Sequence, residues 1–215
     1  MTLEQAMDSR ITNLIDNFSY EELAHALYLK GERDGYAKVT DKTKWRELVM
    51  AEKLKHNAFQ KISAGKNSDK YGADAYEADG KTAEYKSKAI VDKEVRNLTC
   101  QIRNSETGTR YAALKVPGVY NGAYTQEAID SYAEHNHYFG VFYKERCVLI
   151  IKPKTEHIIQ TLTKQNAKRL KDNKQRLAEG KDPKTTNANT VTINLDNTAN
   201  YETVFKDEGW FKEKQ

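Results

Sequence analysis

Residues 72–90, GADAYEADGKTAEYKSKAI, decide how the rest of the chain is read. Asp79-Gly80 is the strongest hairpin signal in the sequence. It lies between two stretches in which small or aromatic residues alternate with charge, a pattern that predicts two strands joined by a tight turn. Nine residues separate Asp74 from Glu84, and Lys86 follows two positions later. Strand side chains alternate with period two, so Glu84 and Lys86 share a face. Two carboxylates suit a hard divalent cation that prefers oxygen ligands, such as Mg²⁺. An ammonium beside them can orient or help deprotonate an attacking water and offset charge on a phosphate.

Loop length decides whether these three groups meet. A two-residue loop pairs Ala78 with Lys81 and sends Asp74 and Glu84 to opposite faces. A three-residue loop, Ala78-Asp79-Gly80 with Gly80 left-handed, pairs Glu77 with Lys81. Asp74 then lies directly across from Glu84, with Lys86 as their diagonal neighbour. The second register is expected, because only it gathers the three side chains.

Asp74, Glu84 and Lys86 resemble the PD-(D/E)xK nuclease motif. The run from Gly72 to Ile90 is similar to the corresponding stretch of type II restriction endonucleases, most nearly the PvuII-like branch. That branch shares the Gly-x-Asp-Ala opening, the gap length and the Glu-x-Lys-Ser close. Ala73 stands where the motif's proline would be. The resemblance covers about twenty residues sharply and 125–155 more loosely. It implies a restriction-endonuclease-like α/β (α+β) fold, a central mixed β-sheet flanked by helices, to which the chain's own spacing adds an N-terminal helical region. It also implies Mg²⁺-dependent hydrolysis of double-stranded DNA to 5′-phosphate ends. Asp74 and Glu84 would be the metal ligands, and Lys86 the third catalytic residue. A palindromic target calls for a homodimer, and the family implies a cognate DNA methyltransferase in the same cell.

The 215 residues suit one domain. A helical region over 1–35 is a possible dimerisation element, 36–155 forms the catalytic core, and 156–215 adds a C-terminal helix and a docking tail. The formal net charge of +4 permits a nucleic-acid partner without requiring one. Cys100 and Cys147 make neither a CxxC pair nor a disulfide framework, so a cytoplasmic, reducing setting is expected. The densest apolar run, Cys147–Ile151, is too short to span a bilayer. No GxSxG, P-loop or GxGxxG occurs, which removes the common hydrolase and nucleotide-binding classes. His135-x-His137 has too few partners at ligand spacing for zinc.

Along the chain, 2–16 shows helical spacing. Ser19 and Glu22 form a capping box for a second helix, with Leu23, Ala26, Leu27 and Leu29 on its buried side. Gly31 and Gly35 break it. A third helix is expected over 42–61, capped by Thr40 or Asp41. Strands are expected near 97–103 and 110–116, then a turn at Pro117-Gly118. A Thr125-capped helix follows over 125–134, then strands over 138–143 and 146–152. A long basic helix over 155–179 ends at Gly180. A polar linker over 180–190, a strand over 191–195 and a tail docked by Tyr201, Val204, Phe205, Trp210 and Phe211 complete the reading.

Further site residues are candidates by chemistry alone. Glu47 and Glu52 could supply an auxiliary acid from the preceding helix. Lys66, Asn67, Ser68 and Lys70, in a glycine-bounded loop, could touch the DNA backbone. Arg103 and Arg110 flank a loop that could enter a groove, and Asn136 and His137 could read base edges. Arg96 and Lys115 lie close by. The basic helix could track phosphates, or be simply a solvated face. Two rivals remain beside the restriction-enzyme reading: a Holliday junction resolvase or repair nuclease, and a non-catalytic DNA-binding module.

Overall fold

A computed structural model describes residues 12–13, 16–33, 42–58, 73–103, 114–185 and 188–214. The fold is mixed α/β with a central mixed sheet flanked by helices. In chain order the described elements are α1 (Tyr20–Arg33), α2 (Lys42–Leu54), β1 (Asn57–Ala58), β2 (Ala75–Tyr76), β3 (Thr82–Ile90), α3 (Asp92–Arg103) and β4 (Lys115–Asn121). They continue with α4 (Gln126–Ala133), β5 (Asn136–Tyr143), β6 (Arg146–Pro153), α5 (Thr155–Ala178), β7 (Ala188–Asn194), β8 (Tyr201–Lys206) and α6 (Glu208–Glu213).

The six-stranded sheet has the order β1-β2-β3-β5-β6-β8. Of its pairs only β3 and β5 run parallel, with Glu84 beside His137 and Lys86 beside Phe139. Between them the chain crosses through α3, β4 and α4, as a parallel pair requires. β5 and β6 are buried almost throughout, and their tight turn puts Lys144 at φ 50 and Glu145 at φ 62. β4 and β7 form a separate antiparallel pair.

The sheet separates two apolar layers. On one face Ile90, Phe139, Val141 and Leu149 pack with Leu98 of α3, Val116 and Tyr120 of β4, Ile129 of α4, and Ile158 and Leu162 of α5. On the other, Ala83, Tyr85, Tyr138 and Phe142 meet Val49, Met50 and Ala51 of α2. Glu84, Lys86 and Ile90 alternate onto the first face, away from α2.

Local signals explain most boundaries. The Ser19 N–H donates to Glu22 Oε2 at 2.8 Å and the Glu22 N–H returns to Ser19 Oγ at 3.2 Å, closing the capping box of α1. α1 then docks on the core: Glu21 pairs with Lys53 and accepts the Cys147 N–H at 2.5 Å. Among its described side chains Ala24 is buried, whereas Ala26 and Leu29 of the expected buried side are exposed, and the helix runs through Gly31 to Arg33 instead of breaking there. Thr125 Oγ1 accepts the Ala128 N–H at 3.2 Å and caps α4. The tail docks through Trp210 and Phe211, with Asp207 capping α6 and paired to Arg146 at 2.7 Å. Val204 is exposed instead.

Several expectations are corrected. The strand expected at 97–103 is the end of helix α3. Glu94 accepts the Val91 N–H at 3.1 Å as an N-terminal cap, and Val95, Leu98 and Thr99 supply helical spacing onto the core. Pro117-Gly118 is not a turn but the middle of β4. Among the described residues β4 has only β7 as its ladder partner, and an edge strand tolerates the donor that proline lacks. α2 stops at Leu54, where Lys55 turns to φ 56, not at 61. β7 begins at Ala188, inside the expected linker. The proposed caps Thr40 and Asp41, most of the first helix and positions 110–113 lie outside the described residues. No described helix is long and apolar enough to cross a membrane.

Candidate active site

The hairpin takes the three-residue loop. The Glu77 N–H donates to Lys81 O at 2.8 Å, and Tyr76 pairs with Thr82 and Ala75 with Ala83. Gly80 sits at φ 83, the left-handed region that the bulged loop needs. Asp79 Oδ1 tightens the turn by accepting the Lys81 N–H at 3.1 Å.

One residue further, β2 bends. The Asp74 N–H donates to Ala83 O at 2.8 Å, and its carboxylate Oδ2 accepts the Tyr85 N–H at 2.7 Å. Asp74 therefore brackets Glu84, its backbone on the residue before and its side chain on the residue after. The carboxylate occupies the ladder position that a longer β2 would have filled with a carbonyl. The ladder ends at Ala75–Ala83, so Asp74 is not paired directly across from Glu84 as expected; it reaches β3 through its N–H on Ala83 and its side chain on Tyr85.

Glu84 and Lys86 project together from β3, and the Lys86 ammonium donates to Glu84 Oε1. Both side chains are well shielded: Glu84 is 7 % exposed and Lys86 15 %. In so little water, charge–charge interactions are stronger than at the surface. The Lys86 ammonium also lies 4.9 Å from the centre of the Tyr120 ring. Burial, helped by the negative charge of Glu84, pushes the Tyr120 phenol well above its usual range, so it stays protonated.

Tyr120 and Gly118 are the site residues that sequence reasoning missed. A Cβ on Gly118 would stand 2.9 Å from Lys86 Cγ and 2.5 Å from the Phe139 ring, so only glycine lets β4 lie against the lysine stem. The available signal was the period-two pattern Val116, Gly118, Tyr120, with a glycine marking close approach.

His137 is fully buried and reads no base edge. One ring nitrogen, Nε2, lies 2.9 Å from the Tyr132 carbonyl, which can only accept, so Nε2 carries the proton. Nδ1 then accepts from the Tyr120 hydroxyl at 3.2 Å. Burial, with a contribution from the Lys86 charge, pulls this imidazole down to about 3. It is a neutral strut beneath Tyr120.

Asn136 donates its amide to Glu77 Oε1 at 2.5 Å, and the Tyr138 hydroxyl donates to the same oxygen at 3.0 Å. These contacts brace the hairpin against β5. Glu47 and Glu52 both ride on α2, behind the sheet. Glu52 is exposed, and it completes no metal-holding group with Asp74 and Glu84. Glu47 is half-buried, and its charge is one of those that raise the Tyr85 phenol, after burial, Tyr138 and Asp74. Lys66, Asn67, Ser68, Lys70 and Arg110 lie outside the described residues, as does the side chain of Arg103.

The donor chemistry is that of hard, oxygen-preferring cations. Among the described residues no group of three or more His, Cys, Asp or Glu side chains could hold a metal. Two carboxylates without imidazole or thiolate suit Mg²⁺, which keeps several of its waters and takes one or two carboxylates from the protein. They do not suit a closed zinc site. No family model matches the sequence, and no curated protein matches it significantly.

Proposed function

We propose that this protein is a Mg²⁺-dependent, sequence-specific double-stranded DNA endonuclease of type II restriction character, leaving 5′-phosphate ends. The observation that carries the reading is the bracketing of Glu84 by Asp74, with Lys86 on the same strand face and already in contact with Glu84. Two carboxylates and a lysine are thereby tied to one short stretch of β3, the set of groups that in-line attack on a phosphodiester uses.

Asp74 and Glu84 would hold the ion, which when bound supplies charge to the phosphate and stabilises the leaving oxygen. Lys86, floored by Tyr120, orients the attacking water as an ammonium and, once it has released its own proton to solvent, takes the proton of that water. Asp74 is positioned for its part by the Tyr85 backbone, so its carboxylate needs no reorganisation. A homodimer would match a palindromic target, and a cognate DNA methyltransferase would protect the host.

Incubation with Mg²⁺ on mixed genomic DNA and, separately, on a four-way junction tests the proposal. Discrete bands from plain duplex support it. Preference for the junction moves the activity to a resolvase or repair nuclease. Inertness on both substrates leaves a non-catalytic DNA-binding module.

A further inference from the structure

Helix α5 has no buried residue beyond Asn166, and the chain returns along this last part before entering β7. The return is tied down. Asn173 grips the backbone of Lys184 at both ends: its Nδ2 donates to Lys184 O at 3.1 Å, and its Oδ1 accepts the Lys184 N–H at 2.8 Å. Arg176 Nε donates to Asp182 O at 2.8 Å. Pro183 stiffens the segment between.

This leaves a groove of about 220 Å³ whose walls include Lys168, Arg169, Asp172, Asn173, Lys184 and Asn189. Three cations face one carboxylate. Arg169 is held in place by Asn166 Oδ1 at 2.7 Å and the Tyr124 carbonyl, with its guanidinium 5.2 Å from the Tyr124 ring centre. Among the described residues, the Lys168 and Lys184 ammonium groups have no hydrogen-bond or ion-pair partner. The volume is below the roughly 300–1,000 Å³ of sites that enclose a small molecule. It has room for a tetrahedral oxyanion with a few waters. Lysine, arginine and amide side chains are the usual partners of backbone phosphates.

The groove adjoins the candidate active site. Asn189, on its wall, stands directly across the ladder from Tyr120, whose ring floors Lys86. Cross-strand partners lie only about 5 Å apart at Cα. We infer that the α5–β7 groove is a phosphate-binding site that takes a phosphodiester of bound DNA beyond the one being cut. The assignment of DNA as the source rests on the nuclease reading; the phosphate chemistry does not.

Two measurements on the full chain, without Mg²⁺, test it. The first is binding of a short labelled duplex over a salt series, for the wild type and for the double variant Lys168→Gln, Lys184→Gln. Both positions are exposed, so the fold is preserved. The plot of log affinity against log salt becomes shallower by roughly 1 to 2 in the variant. The second is titration with inorganic phosphate, read from the side-chain amide resonances of Asn173 and Asn189. They shift in the wild type and not in the variant. Phosphate-induced shifts with an unchanged salt slope would overturn the DNA assignment and leave a free-phosphate site. No shift and no change of slope would overturn the groove as a site. Because neither arm reads cleavage, a protein that cuts nothing yet passes both keeps the groove and loses the nuclease reading.

Discussion

Asp74 Oδ2 accepts the backbone N–H of Tyr85 at 2.7 Å, which ties the first acid of the site to the strand that carries the second. This bond does two things at once. It satisfies a ladder donor where β2 has ended, and it fixes the carboxylate on the strand that carries Glu84. Substitutions at Asp74 should separate the two roles. Asp74→Asn keeps an acceptor for the Tyr85 N–H, so its unfolding midpoint should stay near the wild type while Mg²⁺ affinity by calorimetry collapses. Asp74→Leu leaves that N–H without its carboxylate and should cost about 1–3 kcal/mol in addition. Equal destabilisation by both variants would contradict the structural role.

The two glycines of the site should fail differently when replaced by alanine. Gly80 has a φ of 83, and a Cβ added there would meet nothing within 4 Å, so Gly80→Ala carries only backbone strain. Left-handed strain of that kind costs about 1–2 kcal/mol. Thermal unfolding should register it, and Mg²⁺ affinity should not. Gly118→Ala drives a methyl against the buried Phe139 ring and the Lys86 stem. Overpacking of this kind costs about 1–3 kcal/mol, and here it also displaces Lys86. Cleavage by Gly118→Ala should therefore fall further than cleavage by Gly80→Ala at matched temperature. Equal rates for the two would count against β4 as the wall of the site.

His137 sets an acid limit on stability. Burial lowers its pKa from 6.5 to about 3, so below 6.5 the unfolded chain binds a proton that the folded one refuses. Its contribution is fully present above pH 6.5 and is lost as pH falls toward 3, at up to about 1.4 kcal/mol per unit. The His137 ring resonances should stay flat from about pH 8 to about pH 5, two units above the folded value. The urea midpoint should drop more steeply with acid in the wild type than in His137→Asn. A ring that titrates near the ordinary 6.5 would remove the buried Tyr120–His137 strut.

Much of this fold was legible because its signals are local. Asp79-Gly80 set the hairpin register, Ser19 and Glu22 the start of α1, Thr125 the start of α4, and the apolar runs of β5 and β6 the centre of the sheet. Each depends on residues within one turn or one strand. Misreadings arose where tertiary partners decide. The segment 97–103 becomes helix because Leu98 and Thr99 need the same buried side and Glu94 caps the turn before it. Pro117-Gly118 becomes strand because β4 is an edge that accepts the proline and has a lysine stem that requires the glycine. His137 changes from a candidate reader of bases to a buried strut because β3 and β5 pair in parallel and place it against Tyr120 and Tyr132. Nothing in the spacing of His135 and His137 announces that pairing.

The most direct test of the nuclease reading is digestion of mixed duplex DNA with Mg²⁺ by the wild type and by Lys86→Ala, with DNA binding measured in parallel. The wild type should give discrete bands that EDTA abolishes. Lys86→Ala should bind DNA as tightly but cut it about 10²–10⁴-fold more slowly, the usual range for a lost proton-transfer group. A wild type that is inert with Mg²⁺, or a Lys86→Ala variant that cuts at the wild-type rate, would contradict the assignment of Asp74, Glu84 and Lys86 as a catalytic centre.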